Sequence, residues 1–76
     1  MSDPQAIIDG LGGSENITII EPCITRLRVE VADPAKVNED ELTGAGAFGV
    51  VQVDNTVQVV VGPVAEDLAA QISELR

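Results

Sequence analysis

Thr25-Arg26-Leu27-Arg28-Val29-Glu30-Val31 alternates residue by residue. Thr25, Leu27, Val29 and Val31 fall on one side; Arg26, Arg28 and Glu30 fall on the other. This is the period-2 pattern of a strand with one face in a core and one in water. Upstream, Asn16-Ile17-Thr18-Ile19-Ile20 is rich in β-branched residues and reads as a partner strand, ended by Pro22. Downstream, residues 50–53 and 57–61 read as two more strands, joined around the turn signal Asp54-Asn55. Each strand pair is short-looped, so the sheet is expected to be antiparallel.

Helical patterns flank these strands. Ser2 or Asp3 can cap a first helix with Pro4 in its opening turn. Its apolar face is Ile7, Ile8 and Leu11, and Gly12-Gly13 ends it. Asp33-Pro34 opens a short helix running to about Leu42, anchored by Val37 and Leu42. Residues 44–49 form a flexible loop. Gly62-Pro63 opens a last helix in which Val64, Leu68, Ile72 and Leu75 recur at helical spacing. The expected order is αββαββα. The expected class is α+β, a four-stranded antiparallel sheet with three helices packed on one face. Arg26 and Arg28 would lie on the other face, which would be wet. No linker or repeat divides residues 1–76, so one domain is expected.

Composition narrows the function. The 76 residues carry a formal charge of −9, from 13 acidic and 4 basic side chains. Nucleic acid and anionic membrane surfaces are poor partners for such a chain. It has no His, which removes the commonest general base and metal ligand. No carboxylates are spaced to complete a metal site with Cys23, so neither metal nor cofactor is expected. No stretch approaches a membrane span, and Met1-Ser2-Asp3-Pro4 lacks a signal peptide's basic start. The single cysteine fits a reducing cytosol.

The positive charge is unevenly placed. Of the four basic residues, Lys36 and Arg76 read as solvated. Arg26 and Arg28 follow the one thiol in Cys23-Ile24-Thr25-Arg26-Leu27-Arg28. A cysteine thiolate is a nucleophile. Arginine holds phosphate oxygens in a planar fork. Strand alternation puts the two arginines on one face, about 6.5–7 Å apart. Backbone amides of Ile24 and Thr25 could form an anion nest, and the Thr25 hydroxyl could add a donor. The residues alone also admit a plainer reading. A lone cysteine is commonly a small buried hydrophobe, and outward arginines on a strand are commonly only solvated.

Two other motifs lead elsewhere. Gly44-Ala45-Gly46-Ala47-Phe48-Gly49 has the letters of a dinucleotide-binding loop, but it precedes a strand instead of following one. Its glycines more simply let the loop turn tightly, close to the cysteine. A phosphatase-type loop needs five residues between cysteine and arginine and then a helix. Only four separate Cys23 from Arg28, and a strand follows.

The segment Glu21-Pro22-Cys23-Ile24-Thr25-Arg26-Leu27-Arg28 resembles the phosphorylation-site signature of the EIIB domain in the glucose/N-acetylglucosamine family of the phosphoenolpyruvate-dependent sugar phosphotransferase system. Leu11-Gly12-Gly13-Ser14-Glu15-Asn16-Ile17, Asp33-Pro34 with Lys36-Val37, Gly49-Val50-Val51, Val57-Gln58-Val59 and Gly62-Pro63 extend the resemblance over nearly the whole chain. It implies a phosphoryl carrier. Cys23 would accept a phosphoryl group from a phosphohistidine of EIIA and pass it to a sugar bound in the membrane component EIIC. Arg26 and Arg28 would stabilise and help transfer it. Glucose and N-acetylglucosamine are the implied sugars. The resemblance further implies a cytoplasmic protein docking at the inner face of the membrane through EIIC; a monomer is the default. Two departures stand out: Glu21-Pro22 where relatives have an acidic and a small residue, and Val64 where they often have a basic one. Ile20 and Ile24 are expected to rim the docking face. The Met1-Ser2-Asp3 start suits a stand-alone subunit. A regulatory EIIB-like module, switched by phosphorylation, is the competing expectation.

Overall fold

The computed structural model describes residues 3–76, and the expected capping role of Ser2 lies outside them. Helix α1 (Pro4–Gly10) is capped by Asp3, whose side chain accepts from the Gln5 amide at 3.1 Å. Strands β1 (Ile17–Cys23) and β2 (Arg26–Val31) form a hairpin. Helix α2 (Glu39–Gly44) follows, then the hairpin β3 (Gly49–Val53) and β4 (Thr56–Val60), then helix α3 (Ala65–Leu75). Short 3₁₀ turns precede β1 (Ser14–Asn16), α2 (Pro34–Lys36) and α3 (Gly62–Val64).

The sheet is antiparallel throughout, in the order β1-β2-β4-β3. β2 and β4 are central, and their alternation sets the two faces. Leu27, Val29, Val31, Val57 and Val59 are buried on one side. Ile7, Ile8 and Leu11 from the α1 region, Leu42 from α2, and Leu68 and Ile72 from α3 close over them. Each fully buried aliphatic side chain contributes about 1.5–3 kcal/mol, so this single layer of contacts carries the stability. The three helices therefore share one face, as the alternation predicts, and the other face carries Arg26 and Arg28 to solvent.

Several local expectations are corrected. Pro22 does not end β1; the strand continues to Cys23, with Pro22 opposite Leu27. β1 is an edge strand, so a proline there costs no ladder bond to an outer neighbour. The segment after Asp33 is two pieces. Asp33 caps the 3₁₀ turn through the Ala35 amide at 3.0 Å, and Asn38 starts α2 afresh by accepting from the Glu41 amide at 3.1 Å. In α3 the buried residues are Ala65, Leu68, Ala69 and Ile72, whereas Val64 and Leu75 are exposed.

Asn16, expected to begin a strand, is instead a buried brace. Its amide nitrogen donates to the carbonyls of Leu11 (2.8 Å) and Asp33 (3.0 Å), and its oxygen accepts from the Asp33 amide (2.8 Å). It thus ties the end of α1 to the exit of β2. Gly12 allows this approach: at φ +100° and with Asn16 Nδ2 2.6 Å from where a Cβ would stand, no other residue fits.

Candidate functional site

A β-bulge decides which way the cysteine faces. Ile17 pairs with Val31, but the next partners are Ile19 and Glu30, so β1 holds one extra residue. The extra residue is Thr18, whose hydroxyl donates to the Glu30 carbonyl at 3.0 Å. Ile17 points into the core. Unbroken alternation would then send Ile19, Glu21 and Cys23 inward as well. The bulge reverses the parity. Ile19 is exposed, Ile20 packs against the core, and Cys23 stands opposite Arg26 on the helix-free face. Ile20 is therefore not part of an exposed rim; Ile19 takes the outward position.

Cys23 is a free, exposed thiol at the end of β1. A two-residue turn, Ile24-Thr25, joins it to β2, so Thr25 belongs to the turn and not to the alternating strand. Ile24 has φ +58°, a region that β-branched residues rarely occupy. The strain is about 1–3 kcal/mol. The Thr25 carbonyl accepts from both the Val61 and Gly62 amides at 3.0 Å, which anchors the turn to the end of β4. Among the described residues, the Ile24 and Thr25 amides donate to no protein acceptor. Two uncommitted N–H donors thus adjoin the thiol in the chain, as an anion nest requires.

The outward face is ordered in rows. Cys23, Arg26, Val60 and Gly49 are successive partners across the four strands. The next outward row is Glu21, Arg28, Gln58 and Val51. Both arginines lie on the thiol's face, but neither guanidinium hydrogen-bonds the sulfur among the described residues. Arg26 Nη1 donates to Gln58 Oε1 at 2.8 Å. Arg28 Nη1 lies 3.7 Å from Glu30 Oε2, an exposed pair worth little by itself. Arg76 is not simply solvated: it donates to the Ile17 carbonyl at 2.7 Å, beside the bulge.

Apolar side chains edge this end of the sheet. Ile24 is 87% exposed, Phe48 79% and Val64 41%. The Phe48 amide donates to the Val60 carbonyl at 2.7 Å, and its ring lies over Gly62. The glycine-containing loop does reach the cysteine's end of the sheet, with Gly49 in the same row but about 14 Å away across three strand spacings. Phe48 and Val64 were not legible as rim residues, although a lone aromatic beside a glycine was a usable signal for Phe48. Among the described residues no group of three or more His, Cys, Asp or Glu could hold a metal. No helix among them is long and apolar enough to cross a membrane.

This arrangement can take up a phosphoryl group: an accessible thiol, free amides and two guanidinium groups on one face. Comparison with known proteins shows the family. A family model described as phosphotransferase system, EIIB matches residues 5–38. The N-acetylglucosamine-specific EIIB component of Streptomyces coelicolor is 53% identical over 74 residues, covering 97% of this chain and 96% of that protein. The glucose-specific EIICBA component of Staphylococcus carnosus is 42% identical over 72 residues, covering 95% of this chain and 11% of that much longer protein. A crystal structure of one domain of a phosphotransferase-system IIabc component from Clostridium difficile superposes with a TM-score of 0.78 at 26% identity, covering 95% of this chain and 76% of the other. With near full-length identity to an EIIB component, the chain belongs to the EIIB family of the sugar phosphotransferase system, phosphotransferases that work with EIIA and EIIC to transfer a phosphoryl group in sugar uptake.

Proposed function

We propose that Cys23 is the phosphoryl acceptor of this EIIB unit and that Arg26, Arg28, Thr25 and Ile24 serve the phosphorylated state. The observation that carries this reading is the bulge: it turns an edge-strand cysteine onto the face shared by both arginines. The Cys23 thiolate attacks the phosphorus of a phosphohistidine on EIIA; an S–P bond forms as the P–N bond breaks, its electron pair leaving with the EIIA imidazole nitrogen. A sugar hydroxyl held in EIIC then attacks the same phosphorus; the S–P bond breaks, an O–P bond forms and the thiolate returns. The hydroxyl proton passes to a base of EIIC or to water. Positioning and charge stabilisation are the main demands of such a transfer. The amides of Ile24 and Thr25 and the Thr25 hydroxyl would bind the phosphoryl oxygens, and the guanidinium groups would offset their charge.

The sugar is N-acetylglucosamine, with glucose as the second candidate, following the specificities named for the 53% and 42% identical relatives. Residues 1–76 act as one phosphotransfer unit, monomeric and cytoplasmic, meeting EIIC at the inner face of the membrane. Ile24, Phe48 and Val64 supply an apolar edge for brief contacts with both partners.

The test is a discharge experiment. The chain is loaded from phosphoenolpyruvate through the upstream carriers and EIIA, then mixed with membranes containing an N-acetylglucosamine EIIC. Loss of phosphate from the protein on adding N-acetylglucosamine, faster than with glucose, supports the reading. A loaded chain that keeps its phosphate with either sugar, beside an active reference EIIB, overturns the carrier role in favour of a regulatory module.

A further inference from the structure

Arg26 and Cys23 are backbone partners, yet the guanidinium of Arg26 is held elsewhere. Gln58 belongs to β4 and pairs with Arg28, two residues along β2 from Arg26. Cys23 belongs to β1, on the other side of β2. A guanidinium bonded to Gln58 Oε1 at 2.8 Å is therefore drawn across the sheet and along it, away from the thiol. The contact joins residues 32 apart in sequence, and Gln58 is half-buried, so the acceptor is well placed. A neutral amide oxygen is a weaker partner for arginine than a phosphoryl dianion.

We infer that Gln58 is a positioning residue for Arg26: its side-chain oxygen parks the guanidinium over β4 until a phosphoryl group on Cys23 draws it back. This rests on the reading of Cys23 as phosphoryl acceptor and extends it. The empty thiol then stands clear of Arg26, and the full charge of the arginine is committed only once phosphate is present. The choice of glutamine follows. A carboxylate at position 58 would compete for Arg26 more strongly than the amide does, and an alanine would not hold it.

The parking contact can be measured without any partner protein. Iodoacetate and iodoacetamide alkylate the same thiolate, but only iodoacetate is anionic. The ratio of their rates at Cys23 cancels exposure and thiolate content and reports the cation beside the sulfur. Gln58→Ala should raise this ratio about threefold by freeing Arg26, and Gln58→Glu should lower it by a similar factor. In an Arg26→Ala background, Gln58→Ala should change nothing, the signature of a coupled pair. An unchanged ratio in folded Gln58→Ala, or an equal change without Arg26, overturns the inference. In the phosphotransfer assay, Gln58→Glu should slow phosphoryl gain about threefold with Arg26 present and much less without it. A wild-type chain that gains no phosphate on Cys23 contradicts the acceptor reading and the release step with it, while the alkylation ratio still decides whether Gln58 parks Arg26.

Discussion

The two hairpin turns lie at opposite ends of the sheet and differ in almost everything except shape. Ile24-Thr25 joins β1 to β2, and Asp54-Asn55 joins β3 to β4. Each has two residues, and in each the first has positive φ, +58° and +53°. Asp adopts that conformation at little cost, whereas for a β-branched Ile it is strained. At the second turn, the Asn55 side chain donates to the Val31 and Ala32 carbonyls at 2.9 and 3.2 Å, and its own carbonyl accepts from Val31 at 2.9 Å. At the first turn no side chain makes such a clamp, and an isoleucine stands 87% exposed; the amides of both turns have no protein acceptor among the described residues. The second turn is clamped to the end of β2 by its own side chain. The first holds strain and apolar surface beside the thiol, which is where function concentrates such features.

The contrast can be broken in several ways. The largest effect is expected from Cys23→Ser: complete loss of stable phosphoryl acceptance, with unfolding free energy within about 0.5 kcal/mol of wild type because the site is exposed. Intact mass and a denaturation curve measure both. Next, Arg28→Ala should leave the chain able to accept phosphate but reduce delivery to sugar by at least about 100-fold, the scale of losing a charge-stabilising group. Equal loss of acceptance and delivery would show that the arginine serves both steps alike. At the quiet end, Asn55→Ala should cost about 1–2 kcal/mol, read from urea unfolding, and leave phosphoryl transfer unchanged. The smallest effect sharpens the comparison. Ile24→Gly should relieve strain and raise stability by up to about 1 kcal/mol while slowing acceptance a few-fold, whereas Asp54→Gly should do neither.

Much of this was readable beforehand, and the exceptions share a cause. The alternation from Leu27 to Val31 states its two faces outright, so the sheet, its helix-covered side and the outward arginines follow from it. The run Cys23 to Arg28 likewise brought the thiol and both cations into view. The bulge at Thr18 left no mark, because a threonine among isoleucines looks the same paired or unpaired. Ile20, outward by its sequence neighbours, therefore packs against the core. Pro22 reads as a strand breaker unless β1 is known to be an edge, which is a fact of the whole sheet. The Arg26–Gln58 contact spans two strands that only the assembled sheet brings together. The separate start of α2 was legible after all: Asn38 followed by Glu39-Asp40-Glu41 is a cap with an acidic first turn.

The central claim is that the outward-turned Cys23 receives the phosphoryl group. Its most direct test is intact mass after incubation with phosphoenolpyruvate, the upstream carriers and a matching EIIA, for the wild-type chain and for Cys23→Ser side by side. The expected result is a gain of one phosphoryl group in the wild type and none in the variant. An equal gain in both, or none in the wild type while the same EIIA loads a reference EIIB, would contradict it.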